Sequence, residues 1–431
     1  MFDVFDMIAY LYKEFKKYDE YDMVTNYLCL VEKQKYLEEY NNIVPKLSIV
    51  QILDLDFSLI KESFVKSQKF SDPIFLLFSL NQLDSKISDF DTIYFDKDLD
   101  EGYSEFKPLN SEYTDSVLVY PQIWRRCHWG NSPEKLSGNI NSILSSVFLV
   151  KKSDLGKFTI SNYYIEANGF ENSIHFIVGG SPISNDDVTN PSYIIQNNCN
   201  ILKVNVDYPD EKIDEYINRI IAIINKADQN KVSLICFPEL TSTEEINCKL
   251  IDKLSSMTFE NLRIIALPTL YEKTNYGSVY YTESQTVLFD QCKTFAYISK
   301  RTDSMSKECL KENHNLCILN IKGVGRVVFP ICKDMLVGDY INLCRTLGIA
   351  LIATRSFSPG YGGYKYFSRI IKGYTSFDCS GLWINSCRYQ SQDESKVVCI
   401  TAHSQKEEDS YNRTYKCPKN CEECLFTFQV N

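Results

Sequence analysis

Histidine is scarce in this 431-residue chain, with only four copies. His403 is the sole one well downstream of Cys332, the cysteine that stands out below, and it has no supporting local signature, which argues against a cysteine–histidine protease. Long hydrophobic runs are missing too. No stretch approaches the roughly 20 apolar residues needed to span a bilayer. The opening segment MFDVFDMIAYLYKEF has acids early and no basic region of the kind that starts a secretory signal. These absences lead to the expectation of a soluble, cytoplasmic protein without a membrane partner. Positive charge is in deficit, with a net charge of −10 and a pI near 5.2, so the electrostatic footprint of a nucleic-acid binder is lacking. No phosphate-cradling loop of the Walker type is visible, and nothing in the chain calls for a cofactor.

What is present is ample material for packed cores, with 44% hydrophobic and 13% aromatic residues. The length exceeds the roughly 250–300 residues at which single cores stop growing, so two domains are expected. The 16 cysteines show no secreted spacing and suit a reducing compartment. Only Cys29 and Cys127 precede residue 199. Just before that point GGSPISNDDVTNPSY gathers glycine, proline, serine, asparagine and aspartate, the chemistry of a connector. The division expected is therefore 1–198 and 199–431.

In the second domain, ILKVNVDY alternates as a first strand. PDEKIDEYINRIIAIINKAD follows as an amphipathic helix with Ile213, Ile217, Ile220 and Ile224 on one face. KVSLICF, TEEINCKLIDKL, LRIIALP, SVYYTESQTVLFD and TFAYISK continue the alternation, which argues an α/β fold around a largely buried sheet. The first domain is expected to be mixed. Residues 1 to about 90 read as helical, with Ile8, Leu11 and Phe15 at helical spacing, and GKFTISNYYIEANGFENSIHFIVGG reads as strands around an Asn-Gly turn.

Chemistry concentrates at three strand ends. Cys332 closes GRVVFPI and opens CKDMLVGDYINLCRTLG, so a thiol is presented where a strand is expected to hand over to a helix, whose dipole would favour the thiolate. Glu239 closes KVSLICFPEL, where Pro238 ends a buried strand. Lys300 closes CKTFAYISKR. Carboxylate, ammonium and thiol in that order suit attack on a carbonyl or nitrile carbon. Glu239 would move the proton, Lys300 and the backbone N–H of Lys333 would hold the oxyanion, and water would release the acyl enzyme. Taken singly, each residue has an ordinary explanation as a solvated strand end or a core thiol.

FPEL, AYISKR and FPICKDM, in this order, resemble the signatures of the nitrilase, or carbon–nitrogen hydrolase, superfamily, over residues 199 to 431. LGIALIATRSFSP and KGYTSFDCSGLWINSCR resemble the elements that follow the nucleophile. The resemblance implies a four-layer α-β-β-α sandwich, a Glu-Lys-Cys triad acting through a thioester, and homo-oligomers. It also implies a second glutamate between lysine and cysteine, for which Glu308 is preferred over Glu312. Asp334 resembles the amidase and carbamoylase branches, favouring amide over nitrile substrates. Nucleotide-linked amides, carbamoyl amines, small aliphatic amides and glutamine side chains all stay open. An alternative is a catalytically weak nitrilase-like assembly or signalling module, with residues 1–198 binding a protein partner, a setting in which such domains occur in bacterial defence.

Two further constellations carry weaker signals. Trp124, Arg125, Arg126, His128 and Trp129 in IWRRCHWG suit either a ligand or a packed surface turn. Cys417, Cys421 and Cys424 in CPKNCEEC offer three thiolates to zinc or an iron–sulfur cluster, but a fourth ligand would have to come from elsewhere, the paired spacing usual for zinc is missing, and a role as loop cysteines is favoured. His175, alone on an expected strand, reads as structural.

Overall fold

In the computed structural model the described residues are 3–28, 33–46, 49–87, 104–106, 109, 116–122, 140–165, 176–183, 190–196, 199–205, 209–299, 306–358, 379–386, 396–402, 411–416 and 424–430. The chain divides into two compact units. One comprises Met1–Asp100, Phe106–Gln122 and His128–Gly156, and the other Glu101–Glu105, Ile123–Cys127 and Lys157–Asn431. The division falls at 156/157 rather than at 198/199. The reason is strand pairing. Thr159–Ile165 lies parallel to Asn315–Ile321, and Phe176–Gly180 lies between Leu234–Cys236 and Phe426–Val430. Of the turn-rich segment taken for a connector, residues 184–189 lie outside the described residues, while Asn190–Gln196 is a strand paired with Cys199–Asn205.

The first unit contains the helices Val4–Phe15, Glu20–Leu28, Gln34–Ile43, Ile49–Asp54, Ser58–Lys66 and Pro73–Lys86, with a two-stranded sheet of Val117–Pro121 and Val147–Lys151. The opening helix starts where Asp3 and Asp6 form a reciprocal capping box, satisfying N–H groups that have no intrahelical partner. Its Ile8, Leu11 and Phe15 are fully buried, as their spacing predicts. Pro73 follows the cap Asp72 in the last helix, where its missing N–H costs nothing. Farther along that helix the buried Asp84 accepts the backbone N–H groups of Ser145 (2.6 Å), Ser146 (2.9 Å) and Val147 (3.0 Å). That carboxylate ties helix to strand.

The second unit is a mixed α/β sandwich. An eight-stranded sheet runs in the order Ser104–Phe106, Thr159–Ile165, Asn315–Ile321, Gly325–Val328, Ile349–Ser356, Ser380–Asn385, Lys396–Ala402, Tyr411–Lys416. A second sheet runs Leu270–Tyr271, Asn275–Tyr281, Ile264–Ala266, Leu234–Cys236, Phe176–Gly180, Phe426–Val430, with Thr286–Cys292 also paired to Asn275–Tyr281. Side chains on a strand alternate between faces, and the cores follow that period. Leu234, Cys236, Ile264 and Ala266 of one sheet share a core with Leu319, Ile321, Leu351, Ala353, Leu382 and Ile384 of the other. The intervening Ile235, Phe237, Ile265 and Tyr280 face the helices Asp210–Gln229 and Glu244–Leu254. Ile213, Ile217, Ile220 and Ile224 are all buried there, which confirms the expected helical face. Helix Gly338–Thr346 buries Tyr340, Ile341, Leu343 and Cys344.

Three expectations change. ILKVNVDY does form the strand Cys199–Asn205, but in a small sheet with Ile298–Ser299, Ser306–Glu308 and Asn190–Gln196 rather than in the sandwich. The strands flanking the Asn-Gly pair enter opposite sheets and are not hairpin partners; the pair itself and His175 lie outside the described residues. Among the described residues of TFAYISK, strand is confined to Ile298–Ser299. No helix among the described residues is long and apolar enough to cross a membrane.

Candidate active site

Glu239 leaves the strand Leu234–Cys236 through Phe237 and Pro238, and the next residue, Leu240, has φ +57°. This left-handed backbone is uncommon outside glycine and turns the chain sharply at the carboxylate. The turn is held by a relay. Leu240 N–H donates to Thr269 Oγ1 (3.0 Å), whose hydroxyl donates to Asn275 Oδ1 (3.0 Å), so that the Asn275 amide N–H points at Glu239 Oε1, 2.7 Å away. Phe357 N–H donates to Glu239 Oε2 at 2.8 Å. One carboxylate thus links both sheets.

The cation that reaches it is Lys293. Its Nζ lies 2.9 Å from Glu239 Oε1 and 2.9 Å from Glu308 Oε2, and the three side chains are 97% buried or more. Lys300, the expected lysine, lies outside the described residues. Lys293 is the first residue beyond Thr286–Cys292, and its N–H donates to Asn275 O (2.8 Å). Its signal was in the sequence: TVLFDQC is a strand with a lysine immediately after it. CKTFAYISK is not a single strand: one strand ends at Cys292, just before Lys293, and another, Ile298–Ser299, stops just before Lys300. Glu308, the glutamate preferred from the sequence, is the second carboxylate that meets Lys293. It is the last residue of Ser306–Glu308, and its Oε2 also accepts from Tyr297 N–H (2.9 Å). Glu312 is elsewhere, paired with His314 and exposed.

Cys332 sits at φ +47°, a strained conformation for a residue with a Cβ, at the start of a five-residue 3-10 turn, Cys332–Leu336. The α-helix begins only at Gly338. The expected helix N-terminus is therefore not at the sulfur, and the expected lowering of the thiol pKa is reversed. Burial pushes the thiol up to about 12, the Glu239 charge pushes it the same way, and Lys293 opposes both. Burial likewise raises Glu239, against the pull of Lys293. Lys293 itself is desolvated, but Glu239 and Glu308 outweigh that and hold it well above its usual range.

The residues after Cys332 fasten the turn. Asp334, fully buried, accepts from Thr294 N–H (3.0 Å) and Phe295 N–H (2.8 Å) through one oxygen and from Ile331 N–H (3.2 Å) through the other. Burial pushes it up to about 7 despite those bonds and Lys293. Lys333 Nζ donates to Ala296 O (2.7 Å), and burial and the Lys293 charge lower its pKa. The segment that carries Lys293 is thereby laced to the segment that carries Cys332. Arg355, also fully buried, extends across to the other sheet and donates to Leu267 O and Gly277 O, both at 3.2 Å.

Among the described residues no group of three His, Cys, Asp or Glu side chains is placed to hold a metal. Cys424 is half-buried; Cys417 and Cys421 lie outside the described residues, as does the IWRRCHWG cluster.

No protein-family model and no curated protein matches the sequence. Solved structures similar to the chain are nitrilase-superfamily proteins and their relatives. The glutamine-dependent NAD+ synthetase from Acinetobacter baumannii has 14% identity and a TM-score of 0.42, with 60% of this chain and 46% of that one covered. Nit3 from Saccharomyces cerevisiae, a member of branch 10 of the nitrilase superfamily, has 11% identity and a TM-score of 0.39, covering 60% and 90%. An amidase from Nesterenkonia sp. has 9% identity and a TM-score of 0.39, covering 59% and 90%. The chain thus spans less than half of the synthetase.

Proposed function

We propose that the second unit is a hydrolase of non-peptide carbon–nitrogen bonds, amide or carbamoyl amine, working through a thioester on Cys332. The observation that carries this reading is the buried Glu239–Lys293–Glu308 chain beside a cysteine held at positive φ. A buried lysine between two carboxylates is expensive to maintain as architecture alone, and strained residues cluster where geometry serves chemistry.

Glu239 takes the thiol proton as the sulfur attacks the carbonyl carbon. Because the thiol is pushed so high, proton transfer and attack are coupled, and a resting thiolate is not needed. The Lys293 ammonium and the Lys333 backbone N–H stabilise the oxygen that becomes negative. Collapse breaks the C–N bond, and Glu239 returns the proton to the departing amine. Water, deprotonated by Glu239, then cleaves the thioester to give the carboxylic acid and restore the thiol. Glu308 keeps Lys293 aimed.

A second reading, a catalytically weak module of assembly or signalling, is favoured by one observation: the α-helix starts only at Gly338, so no helix N-terminus stands at the sulfur to favour a thiolate. A panel of aliphatic amides, carbamoyl amines, nucleotide-linked amides and glutamine, assayed for amine or ammonia release, separates the two. The hydrolase reading expects turnover that Cys332→Ala abolishes and an acyl adduct on Cys332 by intact mass. Absence of both, in folded protein, overturns it.

A further inference from the structure

The most informative unassigned group at the site is a hydroxyl. A buried thiolate beside Glu239 is penalised twice, by desolvation and by a like charge, and the 3-10 turn at Cys332 does not offer the α-helical N-terminus that the sequence promised. Lys293 offsets part of this, yet it is already shared between two carboxylates. A second donor faces the sulfur. Ser356 Oγ lies 3.6 Å from Cys332 Sγ with its hydroxyl donating, within the longer reach usual for sulfur acceptors.

We propose that the Ser356 hydroxyl is a catalytic residue of this site, the hydrogen-bond donor that stabilises the Cys332 thiolate as its proton leaves for Glu239. This rests on the reading of Cys332 as the nucleophile. Ser356 keeps its own proton throughout. The bond is weak while the sulfur is neutral and strengthens as negative charge develops, because hydrogen bonds to ionised acceptors are roughly twice as strong. A contact that tightens only along the reaction lowers the barrier rather than merely binding the ground state.

The surroundings fix that hydroxyl in place. Ser356 ends the strand Ile349–Ser356, is 1% exposed, and is paired in parallel register with Asn385. Its carbonyl accepts from Glu239 N–H (3.3 Å) and Ser386 N–H (3.2 Å). On one side, Arg355 is anchored across the sandwich on Leu267 O and Gly277 O; on the other, Phe357 N–H holds Glu239 Oε2. Three consecutive residues therefore brace the sheets, meet the sulfur and orient the base. The hydroxyl does not have to reorganise when charge appears, which is what makes such donors effective.

The test is the pH dependence of iodoacetamide alkylation at Cys332, read by peptide mass spectrometry in wild type, Ser356→Ala and Ser356→Thr, with exposed Cys248 as internal reference. Ser356→Ala is expected to displace the profile by about one pH unit to the alkaline side, a roughly tenfold slower alkylation at fixed pH, equal to about 1.4 kcal/mol. Ser356→Thr, which keeps the hydroxyl, restores the wild-type profile, and Cys248 is unchanged throughout. Circular dichroism checks folding; should the alanine variant be misfolded, Ser356→Cys, with its weaker donor, is expected to give an intermediate displacement. Superimposed profiles for wild type and folded Ser356→Ala overturn the proposal. A displaced profile in a protein that turns over no amide shows that the Ser356 hydroxyl stabilises the Cys332 thiolate, but refutes the hydrolase reading and with it the catalytic role of Ser356.

Discussion

Replacing Lys293 by methionine removes the ammonium while keeping most of the side chain's length, and leaves Glu239 and Glu308 facing the same buried space. Each carboxylate loses a partner at 2.9 Å. Breaking a buried ion pair by deleting one member costs about 3–5 kcal/mol, since the remaining charge is left uncompensated. At roughly 2–4 °C per kcal/mol for domains of 150–250 residues, the calorimetric midpoint should fall by on the order of 10 °C near pH 8. The sign of the pH dependence follows from the carboxylates. Lys293, raised above its unfolded value, is charged in both states below about pH 10, so it contributes no slope there. Glu239 is already raised by burial, and loss of the lysine raises it further. A carboxylate whose folded pKa is raised is stabilising when protonated, below its unfolded value near 4.3, and that stability is lost as pH climbs. The deficit of Lys293→Met is therefore expected to be large at pH 8 and to shrink markedly by pH 5, where a proton replaces the ammonium. Calorimetry on both proteins at the two pH values decides it. An equal drop at each would mean that the site does not hold ionised Glu239, and the electrostatic reading would fail.

Asp334→Asn tests the other buried acid: with a folded pKa pushed up to about 7, wild type should lose stability relative to the variant as pH rises from 4 to 8, by a few kcal/mol, measured by urea denaturation across that range; no pH-dependent difference would remove the clamp's charge from the account. Gly277→Ala places a Cβ 2.0 Å from Arg355 Nη1, so overpacking of about 1–3 kcal/mol is expected, read as a lowered urea midpoint; wild-type stability would show that Arg355 is not wedged there. In the first unit, Asp84→Ala strands three N–H groups and is expected to cost several kcal/mol, at about 1–3 kcal/mol for each buried donor left unsatisfied. Hydrogen exchange on the Val147–Lys151 strand measures that loss, and unchanged protection there would refute it.

How much of this was legible in the sequence depended on whether a signal was local. The helix Asp210–Gln229 was readable because its isoleucines fall at helical spacing and its burial needs nothing from elsewhere in the chain. Glu239 and Cys332 were readable because proline and an apolar run mark where each strand stops. The meeting of Lys293 with Glu239 was not legible because it depends on where Thr286–Cys292 ends, and only the pairing of that strand with Asn275–Tyr281 shows it. The domain boundary was missed for a similar reason, since Thr159–Ile165 pairs with a strand some 150 residues later, and composition carries no trace of such a partner. The thiol's elevation was invisible because it comes from burial and from Glu239, both supplied by distant segments.

Phe426–Val430 lies against Phe176–Gly180, and Asn315–Ile321 lies against Thr159–Ile165. Early strands of the second unit thus wait for late ones, and the closure of long loops must precede the contacts that reward it. On the ribosome, the helical unit has its core residues in hand by Lys151, whereas Phe176–Gly180 keeps one edge unpaired until Phe426–Val430 emerges. A chain truncated before Phe426 would therefore expose the Phe176–Gly180 edge to pairing with other chains.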